Sequence, residues 1–261
     1  MLESRIEGQL GIMTMNNDAR RNVISQRLID EVAGALGHFR NQRVRCVIFR
    51  ANKGVGVWSA GHDVEELPPP GHDPLHWSDT LPHLVRIIQK FPAPVIAMVE
   101  GSVWGGAVEM AMACDLVVAS RYSTFAITPA KLGLPYHING LSTLSRLVMP
   151  HILRELMFTA KPLSAERLAA TGAINYAIDP AELESFCFDM ADHICNNSPL
   201  AISVTKDALR AFIGRDLPVS EFERLEEIRE DVYSSADYAE GLDAFRNKRK
   251  PVFTGDAHDV A

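Results

Sequence analysis

The 261-residue chain is short of several things, and each shortage removes a class of answer. It has no run of about 18 uncharged apolar residues, so the sequence predicts no transmembrane helix. Its first residues, MLESRIEGQLG, carry early acidic side chains and no apolar h-region, so they do not read as a signal peptide. Positive charge is in deficit: 26 Lys and Arg stand against 33 Asp and Glu, a net −7 at pH 7. That balance argues against nucleic acid or an acidic membrane surface as a partner. The four cysteines, Cys46, Cys114, Cys187 and Cys195, include no pair at C-x-x-C spacing. Buried free thiols in a reducing cytosol are the expectation, with a cytoplasmic location and no metal site. No internal repeat has a readable period, which sets repeat architectures aside.

What is present is ordinary for a folded soluble protein. Hydrophobic residues make up 47% and charged residues 23%, enough for a sizeable core. The sequence predicts strands over Leu10–Met15, Arg45–Ala51, Pro94–Gly101, Leu116–Ser120 and Ser123–Thr128, from β-branched and apolar runs. A helix with Ser25 as N-cap follows the first strand, and another over Leu81–Phe91 stops before Pro92. Pro68–Asp79, PPPGHDPLHWSD, reads as a long loop, and PAKLGLPYHING as a second one. From Leu141 the pattern is mostly helical, broken by a short strand in INYAID. Strands early and helices late predict an α/β core, residues 1–196, with a helical C-terminal region, 197–261.

Two stretches share a design. In each, CVIFRA…WSAGHD and PVIAMVEGSVWGGAVEM, a buried strand runs into a glycine-containing turn and then a helix. Glycine lets backbone approach a ligand closely and leaves N–H groups free at the turn. Two such N–H groups converging on one point would form an oxyanion hole. Asp63, just after the first turn, also has the plain role of capping the helical stretch after it.

These stretches carry a resemblance. SAGHD, GSVWGGAVEMAMACD, FAITPAKLGLP and FRNKRKPVF are similar, in order and spacing, to four motifs of the crotonase (enoyl-CoA hydratase/isomerase) superfamily. The resemblance implies a spiral of ββα units with a helical C-terminal trimerisation region, giving a homotrimer or a hexamer of two trimers. It implies an acyl-CoA thioester as substrate, with the His62 and Gly106 N–H groups as the oxyanion hole. It also implies contacts from Arg20, from the backbone around Ala60 and from Lys248 to the CoA part, whose phosphates need basic partners.

Hydratases of this superfamily use two glutamates to add water. Glu109 matches the first; Pro129, with Thr128 before it, stands at the second. Water addition needs a positioned acid and base, so the missing carboxylate weakens that reading without removing it. Details of these motifs most resemble the superfamily's decarboxylase subgroup, which acts on methylmalonyl-CoA or a close malonyl thioester. On that resemblance Tyr136 would hold the departing carboxylate out of the thioester plane, Thr128 would add a polar contact, and Glu109 would be catalytic or part of a polar network. The alternative is an enoyl-CoA hydratase or isomerase using Glu109. Neither chemistry requires a cofactor beyond the CoA of the substrate.

Overall fold

The computed structural model describes residues 1–66, 80–132, 134–212, 220, 223–224, 227 and 235–255. The predicted loop at 68–79, Gly133 and most of 213–234 lie outside the described residues. The chain opens with an antiparallel pair, β1 (Leu2–Glu7) and β2 (Leu10–Met15). Helix α1 (Gln26–Asn41) follows, its Ser25 side chain accepting from the Leu28 N–H as the sequence predicts. Its buried positions Leu28, Ile29, Val32, Ala35, Leu36 and Phe39 form one stripe at helical spacing.

The next part repeats a unit. β3 (Cys46–Ala51) and β4 (Val57–Ser59) precede α2 (Thr80–Lys90); β5 (Val95–Val99) and β6 (Ser102–Trp104) precede α3 (Gly106–Met112). β7 (Leu116–Ser120) and β8 (Thr124–Ala126) precede α4 (Ile138–Leu147). The first strand of each pair enters one sheet and the second strand another. The larger sheet has the order β1-β2-β3-β5-β7-β10, where β10 is Tyr176–Ile178; the smaller is β4-β6-β8-β9, where β9 is Leu163–Ser164. Pairing within each sheet is parallel except at β1/β2 and β8/β9. This is the expected ββα spiral. Parallel strands covered on both faces explain the unbroken burial of β5, all five of whose residues are inside.

Helices α5 (Pro150–Thr159), α6 (Ala165–Ala170), α7 (Pro180–Cys195), α8 (Pro199–Phe212) and α9 (Ala236–Arg246) complete the described fold. Leu183, Cys187, Ala191 and Cys195 of α7 pack on Cys46, Ile48, Ile96, Met98 and Val118 of the larger sheet. All four cysteines are buried and free, and burial pushes the Cys187 thiol up to about 12 and Cys195 up to about 11, so neither is a ready nucleophile. None of the helices among the described residues is long and apolar enough to cross a membrane.

The core clamps the first turn from below. Trp58 is fully buried, donates its indole N–H to the Met98 carbonyl at 3.0 Å, and meets Phe49 edge to face at 5.7 Å. β4 is thereby fixed to the central strands just before the Gly61–His62 corner.

Candidate active site

Residues 17–25 hold the first turn from the side. The buried Asn22 amide donates to the Trp58 carbonyl (3.2 Å), while Ser59 Oγ donates to the Asn22 carbonyl (2.7 Å). Ala60 N–H donates to Arg21 O (2.9 Å), Ile24 N–H to Gly61 O (2.8 Å) and Asp63 N–H to Ile24 O (2.9 Å). In this parallel bridge the Gly61 carbonyl and the Asp63 N–H pair with Ile24, the Gly61 N–H donates to Ser59 Oγ at 3.3 Å, and the His62 N–H faces away from Ile24. It has no acceptor among the described residues.

The second turn meets the first. Gly105 has φ 54° and donates its N–H to the Ala126 carbonyl on β8 at 2.8 Å. Gly106 opens α3, where the first amides of a helix have no intrahelical acceptor. No described residue supplies one. The two turns touch at Gly61, which has φ +85°; a Cβ there would collide with the Trp104 carbonyl and sit 3.1 Å from the Gly106 nitrogen. Oxyanion holes are built from N–H groups of this kind that converge on one point. Thr128 borders the second turn, its hydroxyl 3.6 Å from where a Cβ on Gly105 would stand.

Every residue of α3 is buried, so the carboxylate of Glu109, 1% exposed, must find donors inside the protein. It finds two. Tyr136 O–H donates to Glu109 Oε2 at 3.0 Å, and His137 Nε2 lies 2.7 Å from the same oxygen. His137 is the N-cap of α4: its Nδ1 accepts from the Gly140 N–H at 3.3 Å, so Nδ1 carries no proton and Nε2–H is the donor to Glu109. The Tyr136 and His137 rings stack with centroids 5.1 Å apart. Burial first, and the Glu109 charge second, hold the Tyr136 phenol well above its usual pKa, so it acts as a neutral donor. The other carboxylate oxygen, Oε1, takes no donor among the described residues.

The three side chains converge on Gly140. A Cβ there would collide with Tyr136 Cε1 and lie 2.6 Å from both Glu109 Oε2 and His137 Nε2. Gly140→Ala is therefore expected to destabilise the fold by about 1–3 kcal/mol, as overpacking does. Thermal unfolding would measure it, and an unchanged midpoint would mean that the cluster yields without cost.

Comparison with known proteins fits this geometry. The family model described as enoyl-CoA hydratase/isomerase matches residues 5–256. The chain belongs to the enoyl-CoA hydratase/isomerase family. Methylmalonyl-CoA decarboxylase of Escherichia coli K12 is 46% identical over 248 residues, covering 95% of each chain. A probable mitochondrial enoyl-CoA hydratase 2 of Arabidopsis thaliana is 29% identical, covering 94% of this chain and 82% of its own. Among solved structures, a methylmalonyl-CoA decarboxylase with 2S-carboxypropyl-CoA matches with TM-score 0.80 and 44% identity over 98% of each chain. An enoyl-CoA hydratase of Bacillus anthracis matches with TM-score 0.86 and 25% identity, covering 98% of this chain and 99% of that one.

Within this family member the sequence-predicted residues fall into two groups. His62, Gly106, Thr128, Glu109 and Tyr136 gather around α3 and the two turns. Arg20 lies beside them, its guanidinium held by Asp63 (3.2 Å) and Glu65 (2.8 Å) and half exposed. Asp63 does act as a cap, accepting from the Glu65 N–H at 3.2 Å at the start of the short 3-10 turn Val64–Glu66. Ala60 is tied to Arg21 through its own N–H. Lys248 is exposed in the turn after α9, and no hydrogen bond or ion pair joins it to the other site residues.

The predicted loop at 129–140 needs correction: α4 begins at Ile138, not at Leu141, and this hides His137 from a sequence reading. A histidine one residue before a helix, with glycine at the third position after it, was the available signal. A cavity of about 640 Å³ lies at the other end of α3, lined by Met112, Cys114, Leu116, Leu147, Ile202 and Lys206 among others. It does not reach His62, Gly106 or Glu109. There Lys206 binds Asp115 at 2.6 Å and the Ala93 carbonyl at 3.0 Å, fastening α8 to the core.

Proposed function

We propose that the protein decarboxylates methylmalonyl-CoA to propionyl-CoA and CO₂. The observation that carries the reading is the contact of the two turns that bear the unpaired His62 and Gly106 amides, with the Glu109 carboxylate on the helix behind them and its Oε2 already taken by Tyr136 and His137. The similarity to methylmalonyl-CoA decarboxylase over nearly the whole chain supports the same reading.

The thioester oxygen would accept from both amides. The bond from the α-carbon to the carboxylate breaks, its electron pair passes into the thioester as an enolate, and CO₂ departs. The α-carbon then takes up a proton. The two amides stabilise the enolate oxygen, and one such donor is worth about 2.7–4 kcal/mol of barrier. Tyr136, kept neutral, turns its one proton to the substrate carboxylate and holds it across the thioester plane, where the breaking bond overlaps the carbonyl π system. Thr128 adds a polar contact beside the second turn. At the position of the second hydratase glutamate Pro129 opens a 3-10 turn, which leaves water addition without its paired acid and base.

Arg20, the backbone at Ala60 and Lys248 bind the CoA portion in this reading, and no cofactor is needed. The C-terminal helices assemble the chain into trimers, alone or paired, and the buried free thiols suit a reducing cytoplasm.

Purified protein given methylmalonyl-CoA is expected to release CO₂ and form propionyl-CoA. Tyr136→Phe is expected to lower kcat/KM by about 10- to 100-fold, the loss of one hydrogen bond to a charged group. Hydration of crotonyl-CoA that disappears in Glu109→Gln, with no CO₂ from methylmalonyl-CoA, would overturn the reading in favour of a hydratase.

A further inference from the structure

Tyr136 has one proton, and here it lies on Glu109. To hold a substrate carboxylate the hydroxyl must let Glu109 go. A carboxylate in a fully buried helix that loses its donor pays the full desolvation penalty, so a Glu109 dependent on Tyr136 alone would keep the tyrosine. His137 removes that dependence. Its Nε2–H sits on the same oxygen, Oε2, and its tautomer is fixed from behind by the Gly140 N–H on Nδ1.

We infer that His137 is a positioning residue, a standby donor on Glu109 Oε2 that frees the Tyr136 hydroxyl to pass from Glu109 to the carboxylate of the substrate. The inference rests on the decarboxylase reading above. The histidine touches no reacting atom; it satisfies Glu109 while Tyr136 is away. Selectivity for an acyl group that bears a carboxylate then depends on a side chain behind the pocket. The imidazole is held by the Gly140 N–H and not by Tyr136, so its own position does not depend on where the phenol points.

The test is binding of two CoA thioethers to the full chain by calorimetry. One is 2S-carboxypropyl-CoA; the other is S-isobutyl-CoA, the same skeleton with a methyl in place of the carboxylate. His137→Phe keeps a ring beside Tyr136 but has no N–H. His137→Gln restores an N–H donor without the imidazole ring, so recovery in that variant assigns the effect to the donor and not to the ring. His137→Phe is expected to weaken carboxypropyl-CoA by about tenfold or more while moving S-isobutyl-CoA less than about twofold, and His137→Gln to recover most of the difference.

Equal weakening of both ligands, or of neither, overturns the inference. Should the phenylalanine variant fail to fold, His137→Leu carries the same comparison. Release of CO₂ from methylmalonyl-CoA by the unaltered protein is measured separately. Its absence defeats the decarboxylase reading, whereas its presence with unchanged selectivity in His137→Phe defeats only the role of His137.

Discussion

Gly106→Pro is expected to lower kcat/KM for methylmalonyl-CoA by about 10²–10³-fold relative to Gly106→Ala, the usual consequence of removing one oxyanion donor. Proline fits this position better than most. Gly106 is the first residue of α3, where a missing N–H breaks no helical bond. The preceding Gly105 has φ 54° and ψ −125°, the mirror image of the extended conformation that precedes proline, and glycine adopts it freely. Both substitutions bring a Cβ to within 2.7 Å of Leu81 Cδ2, the far end of a flexible side chain, so that crowding is shared by the pair. They differ in the amide hydrogen and in the two ring methylenes that take its place in proline, so the proline variant both removes the donor and fills its position. Steady-state kinetics on the two variants, with thermal unfolding to compare their stabilities, reads out the loss of that open N–H. Equal rates would remove the Gly106 amide from the mechanism.

The second large effect is expected at Gly61. Alanine there must hold φ +85° and push its methyl into the Trp104 carbonyl. Backbone oxygen cannot swing aside as a side chain can, so the two turns must part. The conformational cost alone is about 1–2 kcal/mol, and the collision adds to it. A shift of about 1 Å between the His62 and Gly106 amides is enough to cost about 10²-fold in rate. Gly61→Ala is thus expected to lower both the unfolding midpoint and kcat/KM, the latter by at least that factor. A variant that is less stable but fully active would show that the touching turns serve the fold only.

Much of this was legible in the sequence, and the exceptions have physical causes. Strands β3, β5 and β7 announce themselves because both faces are buried and almost every residue is apolar. β1 does not: it is an edge strand with four of its six residues exposed, so LESRIE has no clear period. The two turns were readable because glycine and small residues have to appear wherever backbone meets backbone. Tyr136 and Glu109 were both readable as site residues, but not their hydrogen bond, which spans 27 positions and depends on how α4 lies against α3. His137 was hidden by its neighbours. Pro129, Pro135 and Gly140 punctuate the stretch like a loop, and a helix that starts Ile-Asn-Gly gives little propensity signal.

The tie between Gly105 and Ala126 has a consequence for the newly made chain. The proposed oxyanion pair draws on residues 21–24, 61–62, 104–106 and 126, and the partners of Glu109 come from 136 and 137, with Gly140 behind them. Each contributor comes about ten to forty positions after the one before, the last two within one β7–β8–α4 unit. A ribosome-bound fragment ending before residue 126 has both glycine turns but nothing to hold the second at its angle. One ending before residue 136 has a buried Glu109 with neither of its donors. The centre is therefore incomplete until residue 140 of the 261 has emerged, and loop closure between distant segments, not local helix formation, sets the pace at which it appears.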